Sequence, residues 1–292
     1  MQNFSQQLST VVFFSTTLLQ ILPLGVSKPL AQSQNPVTQL QIKPGITAKN
    51  FAMATPDVKI VFQGPMDLSN YDRSLPAEDQ VTHTPQPFLD CMAVREEVFV
   101  RGQNIPLLLE ADADDCRCYH WVAYATDEGK QVPVGTIRIV PFPQEAHPAP
   151  GSSFDLPENP KVSSNKLVPE PRPWIVDRAT TLHDGREPYL KLGRMAVIKS
   201  RKGQGIARAL VEAATAWATK EGVETFSKSG ATDDQGNEVP EEMRRWNGLL
   251  CVHAQQSVIG FWQKTGFVID EEMGEWTEAG IKHVGMFRRL AV

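Results

Sequence analysis

Apolar and polar positions trade places along the chain with two distinct periods. The run VKIVFQG (58–64) alternates as a first strand does. In PFLDCMAVREEVFV (87–100) the spacing changes: Phe88, Met92, Val94, Val98 and Phe99 gather on or near one face, which predicts a helix. HWVAYAT (120–126) and PVGTIRIVPF (133–142) read as strands joined by a turn at Gly129. YLKLGRMAVI (189–198) is nearly all apolar and predicts a central strand covered on both faces. From Ile206 to Glu221 a helical stripe of Ile206, Leu210, Ala213, Ala214, Trp217 and Ala218 faces Arg208, Glu212, Thr215 and Thr219, with Gly222 as its stop. A buried strand GLLCVHAQ (248–255), a short helix SVIGFWQKTG (257–266) and two closing strands (267–280 and 282–290) complete the pattern. No internal repeat is visible, and the order predicts one mixed α/β or α+β domain.

Three stretches lack periodicity. Residues 143–186, dense in proline, serine and charge, read as an inserted surface loop, and 227–245 as a second polar insertion remote from the chemistry. Residues 1–52, rich in Gln, Ser, Thr and Pro, read as a disordered or processed leader, with Met53 as an alternative start and 53–292 as the folded domain. Within the leader, VVFFSTTLLQILPLGV (11–26) is too short and mixed for a membrane span. As a targeting segment it lacks the cationic flank of a secretory signal and the arginines of a mitochondrial one. The expectation is therefore a cytoplasmic protein, with 11–26 the candidate targeting segment.

Composition narrows the function classes. A net charge of −5 across 292 residues, both signs interspersed, gives no basic footprint for nucleic acid and favours small-molecule chemistry. Four cysteines, at 91, 116, 118 and 251, do not make a disulfide scaffold of this length. Cys116 and Cys118 stand too close for a zinc knuckle and lack a second pair, so free thiols and no metal are expected.

The chemistry concentrates at SRKGQGIARAL (200–210), where a strand becomes a helix. The first turn of a helix leaves backbone N–H groups unpaired. Glycines at 203 and 205 remove the β-carbons that would block a close approach, and they accept the dihedrals of an anion-binding nest. Lys202, with Arg201, adds full positive charge, so a phosphate is the natural guest. The string is neither a Walker A loop nor a complete dinucleotide fingerprint, because three positions beyond Gly205 stands Arg208. A plain tight turn is the structural alternative.

Residues Met195–Leu210 resemble motif A of the GNAT superfamily of acyl-CoA N-acyltransferases, Q/R-x-x-G-x-G/A after a central strand. Lys202 stands in the Q/R place, Gly205 in that of the fixed glycine and Ala207 in the G/A place. LLCVHAQQSVIGFWQKTGF resembles the superfamily's next strand and its F-Y-x-K-x-G-F helix, and EWTEAGIKHVGM its closing hairpin. VREEVFVRGQNIPLLLEADADD and PVGTIRIVP are similar to its first helix with its loop and its third strand.

The resemblance spans about Val58 to Leu290 and implies a mixed, largely antiparallel sheet, splayed at two parallel strands and flanked by helices. It also implies acetyl-CoA as co-substrate, held by Lys202, Gly203, Gln204, Gly205, Ile206 and Ala207 at its pyrophosphate and by Met195, Ala196, Val197 and Ile198 along its pantetheine arm. Acetyl transfer to a primary amine, small or on a protein, is the implied activity. Trp262 occupies the usual Tyr place, and an indole N–H is no acid at neutral pH, so water, His253 or Ser257 substitutes or the thiolate leaves unassisted. An acyl-CoA-binding regulatory module without turnover is the alternative this departure motivates.

For the base, His253, His283 and Glu278 are candidates, each with an ordinary structural role as its alternative. Glu110, Asp112, Asp114 and Asp115 follow the first helix, where they either attract a cationic acceptor or form a solvated loop. Arg194 is expected to pair with one of them.

Overall fold

The computed structural model describes residues 39–40, 57–80, 83–156, 164–227 and 231–292. The expected leader therefore lies outside the described residues, apart from a two-residue strand, β1 (Gln39–Leu40). The remaining strands are β2 (Val58–Gln63), β3 (Tyr119–Asp127), β4 (Lys130–Val140), β5 (Ser153–Phe154), β6 (Leu190–Val197), β7 (Leu249–Gln255), β8 (Val268–Ile269), β9 (Glu275–Glu278) and β10 (Ile281–Arg289). They form one sheet in the order β1-β2-β3-β4-β6-β7-β10-β9-β5, with β8 also on β10. Among these strands only β6–β7 and β5–β9 pair in parallel.

Alternation along each strand sends side chains to two helix layers. Ile60, Trp121 and Ala123 join the main core on one face, with Ile206, Leu210 and Ala214 of α4 (Ile206–Trp217) and Trp262 of α7 (Ile259–Lys264). Their neighbours Val61 and Val122 turn to the other face and meet Cys91 of α1 (Gln86–Arg95). The short helices α2 (Arg101–Gln103) and α3 (Leu107–Glu110) follow α1 in the chain, while α5 (Val223–Ser227) and α6 (Glu241–Arg244) follow α4. Full burial of side chains such as Leu210 or Val211 contributes about 1.5–3 kcal/mol each.

Three expectations are corrected. The α1 helix does not stay regular to residue 100 but runs into a wider π turn at Glu96–Val100. Gly222 does not stop α4: a second π turn, Ala218–Gly222, carries the helix on into α5. A Cβ at Gly222 would lie 2.7 Å from the buried ring of Trp246, so the glycine serves close packing rather than termination. The stretch 143–186 is no loose surface loop either, since His147, Leu167, Trp174, Thr180 and His183 are buried and β5 adds a strand beside β9. Asp270, itself fully buried, clamps it by accepting from Thr180 Oγ1 at 2.6 Å and from the Leu182 N–H at 2.8 Å. Trp174 bridges to Asp233, so the two insertions meet.

Candidate active site

The glycine turn and the parting of two strands lie at successive points of one chain segment. Gly203 and Gly205 both take left-handed dihedrals, φ 79° and 82°, and Gly205 caps α4 with no side chain bonding the helix's first turn. The N–H of Ala209 reaches the Gly205 carbonyl, and those of Arg201 and Lys202 close the preceding turn. The N–H groups of Gly203, Gln204, Gly205, Ile206, Ala207 and Arg208 bond to no carbonyl or side chain among the described residues. A Cβ on Gly203 would meet nothing within 4 Å, and Lys202, Gly203 and Gln204 are exposed. Free amides, an open approach and a neighbouring ammonium fit a phosphate.

Parallel pairing of β6 with β7 covers Leu190–Leu192 against Leu250–Val252 and then ends, although β6 runs on to Val197 and β7 to Gln255. The facing backbone edges beyond Gly193 and His253 are therefore without ladder partners, the arrangement by which an extended amide-bearing chain is held between strands. The cause is visible on the opposite edge of β6. Register against β4 slips between Thr136–Ala196 and Arg138–Gly193, and Arg194 within the bulge adopts φ 48°, a left-handed value that costs a non-glycine residue about 1–3 kcal/mol. Ion pairs hold it there: Arg194 Nε lies 3.2 Å from Glu110 Oε1 and Nη2 3.1 Å from Asp112 Oδ2. The anticipated pairing of Arg194 with the acidic cluster is thus present.

The same cluster corrects its own expected role. Glu110 and Asp115 are buried, at 2% and 0% exposure, and neither a solvated loop nor an acceptor-facing surface describes them. Arg95 donates to both, Nε to Glu110 Oε1 at 2.8 Å and Nη1 to Asp115 Oδ1 at 2.9 Å. Arg138 donates to Asp112 Oδ2 and to Asp115. Burial opposes ionisation of Asp115, but the Arg138 and Arg95 guanidinium groups outweigh it and hold the carboxyl well below its ordinary value. Of the expected acceptor-side residues only Asp112, one-third exposed with Arg194, fronts the fork. Asp114 turns away to Arg117 and Arg172. Arg95 and Arg138 escaped the sequence reading; for Arg138 the available signal was a lone arginine within the strand TIRIV.

His253 is the first β7 residue past the parallel pairing. It shares the α1-side face with Cys251 and packs edge-on against Trp276, ring centroids 4.7 Å apart. Its Nε2 is buried and has no hydrogen-bond partner among the described residues. Burial, then Lys191, His147 and His283, push its pKa well below the ordinary value, so it is neutral at pH 7. His283 is buried and its Nδ1 lies 2.9 Å from the Ile281 carbonyl, which makes Nδ1 the donor of that hydrogen bond. Glu278 accepts from the Trp276 indole at 2.6 Å rather than standing free in a turn. Trp262 is buried in the opposite core between Phe261 and Phe267.

All four cysteines are free and buried. Burial pushes the thiols of Cys91 and Cys251 up to about 12 and that of Cys116 to about 11, so none is a nucleophile near neutrality. Among the described residues no group of three or more His, Cys, Asp or Glu side chains could hold a metal, and no helix is long and apolar enough to cross a membrane. A small cleft of about 40 Å³, lined in part by Phe142, Trp174, Asp177, His183 and Tyr189, opens just before β6, at the end of that strand away from the glycine turn.

Residues 87–243, more than half of the chain, match the model of the "Acetyltransferase (GNAT) family". Among solved structures, one assigned as an N-acetyltransferase from Lactobacillus plantarum shares 19% identity at a TM-score of 0.44, covering 80% of this chain and 98% of that one. An acyl-CoA N-acyltransferase from Pseudomonas aeruginosa shares 17% at 0.41, covering 80% and 99%. Escherichia coli ElaA shares 17% at 0.39, covering 74% and 96%. At such identities and scores the likenesses say nothing of substrate. With the family model spanning the bulged strand, the glycine turn and α4, this chain belongs to the GNAT acetyltransferase family.

Proposed function

We propose that residues 53–292 form one N-acetyltransferase domain that moves an acetyl group from acetyl-CoA to a primary amine by direct attack. One observation carries the reading: unpaired N–H groups at the start of α4 lie on the same chain segment as the unpaired edge of β6 beyond Gly193. Lys202 to Ala207 hold the diphosphate, the glycines by letting it approach and Lys202 by its charge. Met195 to Ile198 pair with the amides of the pantetheine arm. The thioester, when bound, supplies the acyl group at the fork. A backbone N–H on the open edge of β6 polarises its carbonyl.

His253 accepts the proton of the attacking amine. It is at the fork, uncharged at neutral pH, and on the face that carries Arg194 and Asp112. His283 and Glu278 are bound to their own neighbours and support the hairpin beside it. Asp112, paired with Arg138 and Arg194, joins Glu110 and Asp115 in holding the arginines that shape the bulge.

Calorimetric titration with coenzyme A, followed by thiol release from acetyl-CoA over a panel of amines, tests this. Binding with amine-stimulated release is the expected result. Binding with no release by any amine would favour a regulatory acyl-CoA-binding module, and no binding heat would remove the reading of the turn.

A further inference from the structure

The insertion before β6 buries two histidines that the reaction described above does not use, and their hydrogen bonds have a direction. His183 Nε2 lies 2.8 Å from the Glu187 carbonyl, which can only accept, so this nitrogen carries the proton. With a single ring proton there, Nδ1 is bare; it lies 3.1 Å from His147 Nε2, and that contact is a hydrogen bond only if His147 donates. His147 is thereby left with a bare Nδ1, and this atom, in a side chain of 0% exposure, has no partner among the described residues. A stranded acceptor of this kind is costly, so a partner is expected.

The matching orphan is His253 Nε2. The two rings have centroids 6.4 Å apart. A ring nitrogen sits about 1.2 Å from its centroid, so the nitrogens are no nearer than about 4 Å, which excludes a direct bond. One water between them would donate to His147 Nδ1 and accept from His253 Nε2–H, satisfying both orphans.

We propose that His147, held by His183, is a positioning residue that fixes His253 as its Nε2–H tautomer through one buried water, leaving His253 Nδ1 as the bare nitrogen that takes the amine proton. The inference rests on the reading of His253 as base. In the transfer, His253 Nδ1 gains the proton and its Nε2–H stays donated to the water, so no proton has to cross the relay. The remaining charged or titratable neighbours are Lys191 of β6, His283 of β10, and Asp177 and Arg178 of the insertion, with Asp177 Oδ2 3.8 Å from His147 Nε2. Burial lowers the His147 pKa to about 4, against Asp177 acting alone in the other direction, so His147 is uncharged at neutral pH.

Long-range proton–nitrogen NMR of the full chain, labelled at its histidines, reads these tautomers directly at pH 7. His183, His147 and His253 are each expected as Nε2–H forms in the unsubstituted protein. An Nδ1–H form of His253 would overturn the proposal, whatever the activity proves to be. His147→Phe, which keeps a ring stacked on Tyr189, is expected to give His253 a mixture of tautomers. It should also lower kcat about tenfold with KM for acetyl-CoA unchanged. An unaltered His253 tautomer in that variant sinks the relay while leaving acetyl transfer intact. Absence of amine-stimulated turnover in the unsubstituted protein sinks the reaction while the tautomers still decide the relay.

Discussion

Asp115 receives both terminal nitrogens of Arg95, Nη1 on Oδ1 at 2.9 Å and Nη2 on Oδ2 at 3.1 Å, and neither side chain reaches solvent. The pair ties α1 to the loop after α3, and through Glu110 and Arg138 it reaches the bulge in β6. Replacing Asp115 with Asn leaves two buried guanidinium groups short of charge, which is expected to cost about 3–5 kcal/mol in urea unfolding. The exposed pair Arg208–Glu212, at a closer 2.7 Å, serves as control: Glu212→Gln should cost no more than about 0.5 kcal/mol, because water and salt screen it.

At the glycine turn, geometry and affinity separate. Gly205→Val forces a branched side chain into φ 82° at the helix cap, an expected loss of about 1–2 kcal/mol in stability. On the proposed reading of the turn a side chain at this position crowds the diphosphate, so the Kd for coenzyme A should rise at least ~10-fold by calorimetry. Lys202→Ala should leave stability alone and weaken binding in a salt-dependent manner. Unchanged affinity in both variants would mean that the turn is only a turn.

Gly222→Ala sets helix propensity against packing. Ala is favoured by about 1 kcal/mol in an open helix. Here its methyl would approach the Trp246 ring to 2.7 Å, and that ring is fixed by an indole hydrogen bond to the Leu249 carbonyl at 2.7 Å. Overpacking of this kind costs about 1–3 kcal/mol, so the expected result is a lower melting temperature. A rise would show that the Trp246 pocket yields.

Two buried histidines set an acid limit. Burial is the leading cause that lowers His120 and His147, each to about 4, whereas an unfolded histidine titrates near 6.5. Between those values the unfolded chain binds more protons than the native one, so stability rises with pH across the window and is lost as pH falls from 6.5 toward 4. Each group accounts for on the order of 3 kcal/mol. Urea midpoints measured from pH 7 to 4 should fall across that window, and His147→Phe should flatten the fall. A midpoint constant down to pH 4 would contradict the burial.

Elements of local origin were legible in advance. The alternation at 58–63 and in 119–127, the stripe from Ile206 to Trp217, and the Gly203–Gly205 turn each declare themselves within a few residues. The misread glycine at 222 shows the limit of this. A glycine near a helix end signals a stop by local rules, and only Trp246, distant in sequence, reveals that it permits contact instead. Residues 143–186 looked like solvent because proline and charge dominate them, yet Asp270 draws in their backbone amides from far along the chain.

The amino-acid order by itself determined where strands and helices run, where the amides of one helix are left free, and which family the pattern matches, because periodicity and turn chemistry act between near neighbours. Tertiary structure decided which carboxylates are sealed against arginines, where β6 and β7 part, and which histidine stands at that fork. Those outcomes depend on burial and on partners from distant segments, and a charge or an imidazole has no settled role until its surroundings are assembled.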